Sequence, residues 1–111
     1  MRRNHLKIFE KLRNLRRIQR GRLSSLKTLE DFDIIREIGF CQERKTPITL
    51  KLLSLQDIGS AATVQRRLRR LKRLGLVVQE RSRHDRRNVE LKVSQEVRNV
   101  YRTKELLLRW S

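Results

Sequence analysis

Hydrophobic residues recur every three to four positions in five segments of this chain, which is the spacing of amphipathic helices. These predicted helices span residues 5–19, 29–43, 50–56, 61–74 and about 95–109. The apolar stripe of the first helix consists of Leu6, Phe9, Leu12, Leu15 and Ile18, with Ile8 beside them. The stripe expected to be buried on the second consists of Leu29, Phe32, Ile35 and Ile38. The chain is therefore predicted to be mainly helical.

Residues with strong preferences for helix ends support these boundaries. Thr28, Thr49 and Ser60 each carry a hydroxyl that can accept a hydrogen bond from the first turn of the helix that follows. Gly21 is expected to end the first helix, and Thr46-Pro47 to end the second.

After Gly75 the hydrophobic period changes from 3.6 to 2. Residues 76–81 and 88–93 are typical of strands, and the polar segment 82–87 connects them. A short helix, a tight turn at Asp57-Ile58-Gly59, a basic helix and a hairpin follow one another, which is the order of a winged helix-turn-helix. The predicted fold is thus mainly α with a small β-hairpin (α+β), a winged helix-turn-helix with flanking N- and C-terminal helices.

The helix at 61–74 has one apolar side and one cationic side, which suits a helix that enters the major groove of DNA. Small residues at its start permit close approach to the bases, Gln65 suits adenine, and Arg66 and Arg69 suit guanine. The predicted DNA-binding residues of this recognition helix are Ser60, Ala62, Thr63, Gln65, Arg66, Arg69, Arg70 and Arg73.

The hairpin loop is the second candidate contact. An arginine-rich tip of this kind can enter the minor groove, which is narrow and electronegative in A·T-rich DNA. The predicted DNA-binding residues of this wing are Arg81, Arg83, His84, Asp85, Arg86 and Arg87. His84 has no second histidine or paired carboxylate beside it, so no metal site is expected, and no cofactor is expected either.

The charge balance points to a polyanionic partner. The chain has 111 residues with a formal net charge of +17. Residues 1–27 carry a net +9 and residues 47–75 a net +6, and an acidic segment lies between them. A charge this large destabilises a small domain unless an anion neutralises it. Nucleic acid is the first expectation, and the few aromatic residues argue against binding single strands by base stacking.

Several other classes of protein find no support in the sequence. No run approaches the apolar length of a membrane span, and the charged residues before the first helix lead us to expect no signal peptide. The lone Cys41 cannot form an internal disulfide, which fits a reducing compartment, so a cytoplasmic, nucleoid-associated location is expected. Nucleophile-elbow, phosphate-loop and paired-cysteine motifs are missing, and an enzyme is therefore not expected.

Residues 47–94 resemble the DNA-binding core of the MarR (multiple antibiotic resistance regulator) family. The resemblance rests on Ile58-Gly59-Ser60, Leu68, Leu71, Gly75-Leu76-Val77, Asp85-Arg86-Arg87 and the alternating strand that ends at Ser94. It implies that Arg87 enters the minor groove and that Asp85 orients neighbouring basic groups. In that family, long first and last helices pair two subunits and shelter a small-molecule site. The flanking helices here are shorter, which speaks against a small-molecule effector.

The sequence thus predicts three regions. They are a basic amphipathic helix and dimerisation arm (1–27), a DNA-binding domain (28–94) and a C-terminal helix in the core or dimer interface (95–111). The expected function is a sequence-specific regulator, a repressor, that binds double-stranded DNA as a homodimer because one core would not bury both flanking stripes. The alternatives are a sequence-neutral architectural DNA-binding protein, a winged-helix module for RNA or protein, and a membrane-surface protein acting through helix 5–19.

Overall fold

The computed structural model describes residues 7–109, apart from the side chains at positions 15, 19, 22 and 103–109. The helices are α1 (Ile8–Arg22), α2 (Leu29–Glu43), α3 (Leu50–Ser54), α4 (Ala61–Arg73) and α5 (Gln95–Arg109). The strands are β1 (Ile48–Thr49), β2 (Val77–Arg81) and β3 (Val89–Val93). The chain forms two compact units, one of residues 7–26 with 95–109 and the other of Lys27–Ser94.

Each predicted helix is present, but α3 ends at Ser54 instead of residue 56, and the C-terminal end of α1 differs as well. This helix continues through Gly21 to Arg22, so Gly21 does not end it. A side chain at Gly21 would meet no neighbouring atom, and a glycine in a regular helical turn lowers stability without forcing a stop. The predicted stripe residue Leu6 lies outside the described residues.

In the Lys27–Ser94 unit, α2 contacts α4 and β3 around one apolar core. The largest fully buried side chains there are Ile34, Ile35, Ile38, Leu53, Val64, Leu68, Leu71, Val77 and Leu91. Leu29 was expected in this core, but it is 67% exposed, and that expectation is wrong. At 100° per residue, Leu29 lies on the far side of α2 from Ile34 and Ile38, and Asp31 takes the buried position of the first turn.

The sheet has three antiparallel strands in the order β1-β3-β2, one strand more than the predicted hairpin. In β1, Ile48 pairs with Leu91 and is buried. The pairing of β2 with β3 runs from Val77 with Val93 to Arg81 with Val89. The extra strand is two residues long, too short for any periodic signal in the sequence.

In the other unit, α1 and α5 pack against each other. Val97 and Val100 of α5 are buried. The apolar stripe of α1 is covered much less, since Ile8, Phe9 and Leu12 are 44%, 80% and 50% exposed. A single chain therefore leaves much of this stripe in contact with water. No helix within residues 7–109 has the length and apolar character needed to cross a membrane.

Candidate nucleic-acid interface

Helix α4 is oriented by its start and by its buried side. The Ser60 hydroxyl accepts a hydrogen bond from the Thr63 backbone N–H at 3.1 Å, which caps the first turn. Val64, Leu68 and Leu71 are buried, so the helix cannot rotate without exposing them. The opposite side of α4 is therefore fixed towards solvent.

The solvent side of α4 carries most of the predicted recognition residues. The exposed members of that set are Ser60, Ala62, Gln65, Arg66, Arg69 and Arg73, and Thr63 is half-buried. Arg70 differs, because its Nη1 lies 3.6 Å from Asp31 Oδ2 and its side chain is only 26% exposed. The structure thus brings together a surface of small residues followed by arginines, with Arg70 at its edge beside a carboxylate.

Asp31, which sequence reasoning did not single out as a site residue, ties α2 to α4. Its carboxylate accepts hydrogen bonds from the backbone N–H of Lys27 at 2.8 Å and of Thr28 at 3.3 Å. Arg67 Nε donates to Asp31 Oδ1 at 2.8 Å, and Arg67 Nη2 donates to Oδ2, which makes a bidentate pair. The contact spans 36 positions of sequence, so no local pattern indicates it.

The surroundings of Asp31 keep it ionised. The side chain is fully buried, and burial by itself raises the pKa of a carboxyl. The hydrogen bonds and positive charge of Arg67, with the N–H groups of Lys27 and Thr28, outweigh burial and leave the pKa of Asp31 below its ordinary value. The first turn of α2 is thus linked to the middle of α4 by an ion pair between a buried carboxylate and a partly buried arginine.

The wing is organised around Ser82 and Asp85. The buried Ser82 hydroxyl accepts hydrogen bonds from the backbone N–H groups of His84 at 3.1 Å and Asp85 at 3.3 Å. Asp85 Oδ1 accepts from the backbone N–H of Arg87 at 3.0 Å and from its Nε at 3.2 Å. These bonds to Arg87 lower the pKa of Asp85. Sequence reasoning missed Ser82, whose only signal is its position at the end of a strand.

The cationic groups of the wing point into solvent. The Arg87 side chain is 91% exposed although it bonds to Asp85. Arg81 Nη1 donates to the Arg86 carbonyl oxygen at 2.7 Å, which bridges the base of the loop. The other predicted wing residues, Arg83, His84 and Arg86, are exposed as well. The wing thus presents several exposed positive charges, of which Arg87 bonds to Asp85 and Arg81 to a backbone carbonyl.

Cys41 does not have the properties of a reactive thiol. Burial and the neighbouring carboxylate of Glu37 raise the pKa of Cys41, and its Sγ lies 3.6 Å from Glu37 Oε2. A thiol needs a lowered pKa to act as a nucleophile or redox sensor at neutral pH. We assign Cys41 no role in the candidate site.

Solved structures of DNA-binding proteins are similar to this chain in fold. FabT of Streptococcus pneumoniae in complex with DNA has a TM-score of 0.61 at 24% identity, over 96% of this chain and 68% of that one. The transcriptional regulator Tm0710 of Thermotoga maritima has a TM-score of 0.62 at 19% identity, over 98% of this chain and 75% of that one. A mutant MarR from E. coli complexed with operator DNA has a TM-score of 0.57 at 22% identity, over 91% of this chain and 70% of that one.

No family model and no curated protein sequence matches the chain. The structural likeness nevertheless covers nearly all of it. The predicted winged helix-turn-helix with flanking helices is therefore confirmed, and its fold is that of MarR and the structures similar to it.

Proposed function

We propose that this chain is a transcriptional regulator that binds double-stranded DNA in a sequence-specific manner as a homodimer and represses transcription. The observation that carries the proposal is the solvent side of α4, where small residues precede exposed arginines on a helix that its buried side holds in place. The DNA complexes of FabT and MarR, which have the same fold, support it.

In this proposal, α4 lies in the major groove. Ser60 and Ala62 allow its N-terminal end to approach the bases, and Gln65, Arg66 and Arg69 provide donors for the base edges. A bidentate contact from arginine to guanine contributes about 1–3 kcal/mol of discrimination against another base. Arg70 is shared with Asp31, so we assign it a phosphate contact rather than a base contact.

The wing contacts the adjacent minor groove. Asp85 holds Arg87 through its backbone and its side chain, so the guanidinium extends from a loop of fixed conformation. The electronegative minor groove of A·T-rich DNA attracts an arginine presented in this way. Arg87 is therefore the proposed minor-groove residue, with Arg83 and Arg86 beside it as phosphate contacts.

The flanking segments 1–27 and 95–111 form the proposed dimer interface around the DNA-binding region 28–94. Ile8, Phe9 and Leu12 support this role, because an apolar stripe so exposed on a helix is typical of a surface that a second protein covers. A two-fold symmetric dimer places its recognition helices in successive major grooves, about 34 Å apart. The expected operator is therefore an inverted repeat, and a dimer bound there blocks access to a promoter.

Selection from a random duplex library at about 0.2 M salt tests the proposal, because non-specific binding falls steeply with salt. We expect enrichment of a two-fold symmetric site. Arg66→Ala and Arg69→Ala should each relax the preference at particular base pairs and cost about 1–3 kcal/mol of binding. Arg36→Ala, an exposed arginine of α2, is the matched control and should leave the selected site unchanged.

The other outcomes point to other functions. Tight low-salt binding with no enriched sequence would identify an architectural DNA-binding protein and contradict a specific regulator. Preference for structured RNA over duplex DNA at equal salt would indicate an RNA-binding winged helix. Enrichment of a single half-site by a monomer would contradict the proposed dimer.

A further inference from the structure

The polar side of α1 is a continuous cationic surface. Arg13, Arg17 and Arg20 are exposed and follow one another at i, i+4 and i+7, which places them within an arc of roughly 60° on the helix. Within the described part of the chain, none of the three forms an ion pair. Glu10, the acidic residue of α1, lies 4.0 Å from Lys7 instead. We call Arg13, Arg17 and Arg20 the α1 arginine surface.

The unit that contains the α1 arginine surface carries more positive charge than the unit that contains α4 and the wing. Residues 1–26 with 95–111 carry 13 basic and 3 acidic residues, a net +10. Residues 27–94, which contain α4 and the wing, carry 16 basic and 9 acidic residues, a net +7. The smaller unit thus carries the larger charge, and pairing two copies through it doubles that charge. Self-repulsion of this size is relieved when a polyanion binds.

We propose that the α1 arginine surface is a second DNA contact, which binds backbone phosphates without regard to sequence. The inference rests on the proposed function, since it adds a contact to a protein already taken to bind duplex DNA. Arg13 and Arg20 are about 10 Å apart along the helix axis. Duplex DNA carries one negative charge per about 1.7 Å of its own axis, so a segment of that length offers several phosphates.

DNA fits this surface better than a membrane does. A membrane-surface helix inserts its apolar side into the lipid. In α1 that side contains the stripe of Ile8 and Leu12, which the proposed dimer covers, and α1 also packs on α5. The α1 arginine surface stays exposed when α1 packs on α5 and when a second subunit covers the apolar stripe. DNA needs only this exposed side, and the contact leaves the apolar stripe for the second subunit.

The test compares two triple variants of equal charge in the full chain. The first is Arg13→Gln, Arg17→Gln and Arg20→Gln. The control is Arg36→Gln, Arg44→Gln and Lys45→Gln, which removes three exposed charges, one in the middle of α2 and two just after its end. Both lower the formal charge from +17 by three. Fluorescence anisotropy with a labelled random-sequence duplex, from 50 to 200 mM salt, gives the salt dependence of binding for each.

Each phosphate contact contributes about 0.9 to the slope of log K against log salt on duplex DNA. We expect the slope for the α1 variant to be smaller than that for the unmodified protein by about 2.7. Between 50 and 200 mM salt, the affinity of the α1 variant should therefore fall by a factor roughly 40 times smaller than the affinity of the unmodified protein does. The slope for the control variant should fall by less than the roughly 0.9 expected for one phosphate contact. The ratio of specific to non-specific affinity should stay unchanged in both variants. Equal slopes for the two variants would overturn the inference.

Two further arms separate the possible failures. If the unmodified protein binds no duplex at 50 mM salt, the proposed function itself fails. If it binds duplex but the α1 variant behaves as the control does, only the second contact fails. Loss of co-sedimentation with phosphatidylserine vesicles without loss of DNA affinity would assign α1 to membranes and overturn the inference. Sedimentation velocity on both variants should show the oligomeric state of the unmodified protein.

Discussion

Replacing Asp31 tests whether its ion pair with Arg67 holds α4 in place. In Asp31→Asn the carbonyl oxygen can still accept from the N–H groups of Lys27 and Thr28, but the negative charge beside Arg67 is lost. In Asp31→Ala both functions are lost. The two variants therefore separate the helix cap from the ion pair.

The expected cost follows from the burial of each partner. Breaking a buried pair by removing one partner costs about 3–5 kcal/mol. The side chains of Arg67 and Arg70 are 17% and 26% exposed, so they can turn towards water, and the cost should fall below that range. We expect Asp31→Asn to lower the free energy of unfolding by about 2 kcal/mol. Loss of the cap in Asp31→Ala adds about 1 kcal/mol.

Urea denaturation followed by far-UV circular dichroism measures both changes. Asp33→Asn is the matched control, since Asp33 lies on the same helix but is exposed, and it should change stability by less than about 0.5 kcal/mol. If Asp31→Asn is no less stable than Asp33→Asn, the ion pair contributes nothing and the reasoning is refuted.

Acid titration provides a second test of the same pair. Because the pKa of Asp31 is lowered in the folded state, the folded protein binds fewer protons here than the unfolded chain does. The stabilisation is complete above the ordinary carboxyl pKa of about 3.9 and is lost as the pH falls from there through the folded pKa. Asp31→Asn should remove this part of the acid dependence. An unchanged difference in stability between the variant and the unmodified protein down to pH 2 would contradict the assignment.

Three other changes give separate tests. Lys45 has a φ of 61°, a left-handed conformation, so Lys45→Gly should raise the free energy of unfolding by about 1 kcal/mol in thermal denaturation, and a decrease would contradict it. Arg87→Ala should weaken binding more to operators with A·T-rich flanks than with G·C-rich flanks, and equal losses in a gel-shift assay would argue against minor-groove insertion. Phe9→Ser, at an 80% exposed position, should shift sedimentation towards the monomer with helical content unchanged, whereas an unchanged dimer would place the interface elsewhere.

Much of the fold could be predicted because its signals are local. The caps at Thr28, Thr49 and Ser60 form as expected, since a cap depends on residues only three positions apart. The exposed basic side of α4 follows from helical period once one side is known to be apolar. The wing bonds between Asp85 and Arg87 are also local, because they join residues only two positions apart.

The helix stop expected at Gly21 was a local error, but two others occurred where a residue's surroundings come from distant parts of the chain. Leu29 fits an apolar stripe by spacing, but the core against α2 lies on the side of Ile34 and Ile38. Strand β1 forms only because β3 offers its edge to Ile48. Neither outcome can be read from the residues that flank these positions.

By itself, the sequence determined the order and type of every element except β1, the charge and the polarity of each helical side, because hydrophobic period and capping act over a few residues. Tertiary structure alone decided which arginines of α4 are exposed and which are engaged by a carboxylate. Arg66 and Arg69 remain exposed, while a carboxylate 36 positions away engages Arg67 and lies beside Arg70. The physical reason is that burial and ion pairing depend on distance in space, and identical side chains on one helix acquire different roles from what packs against them.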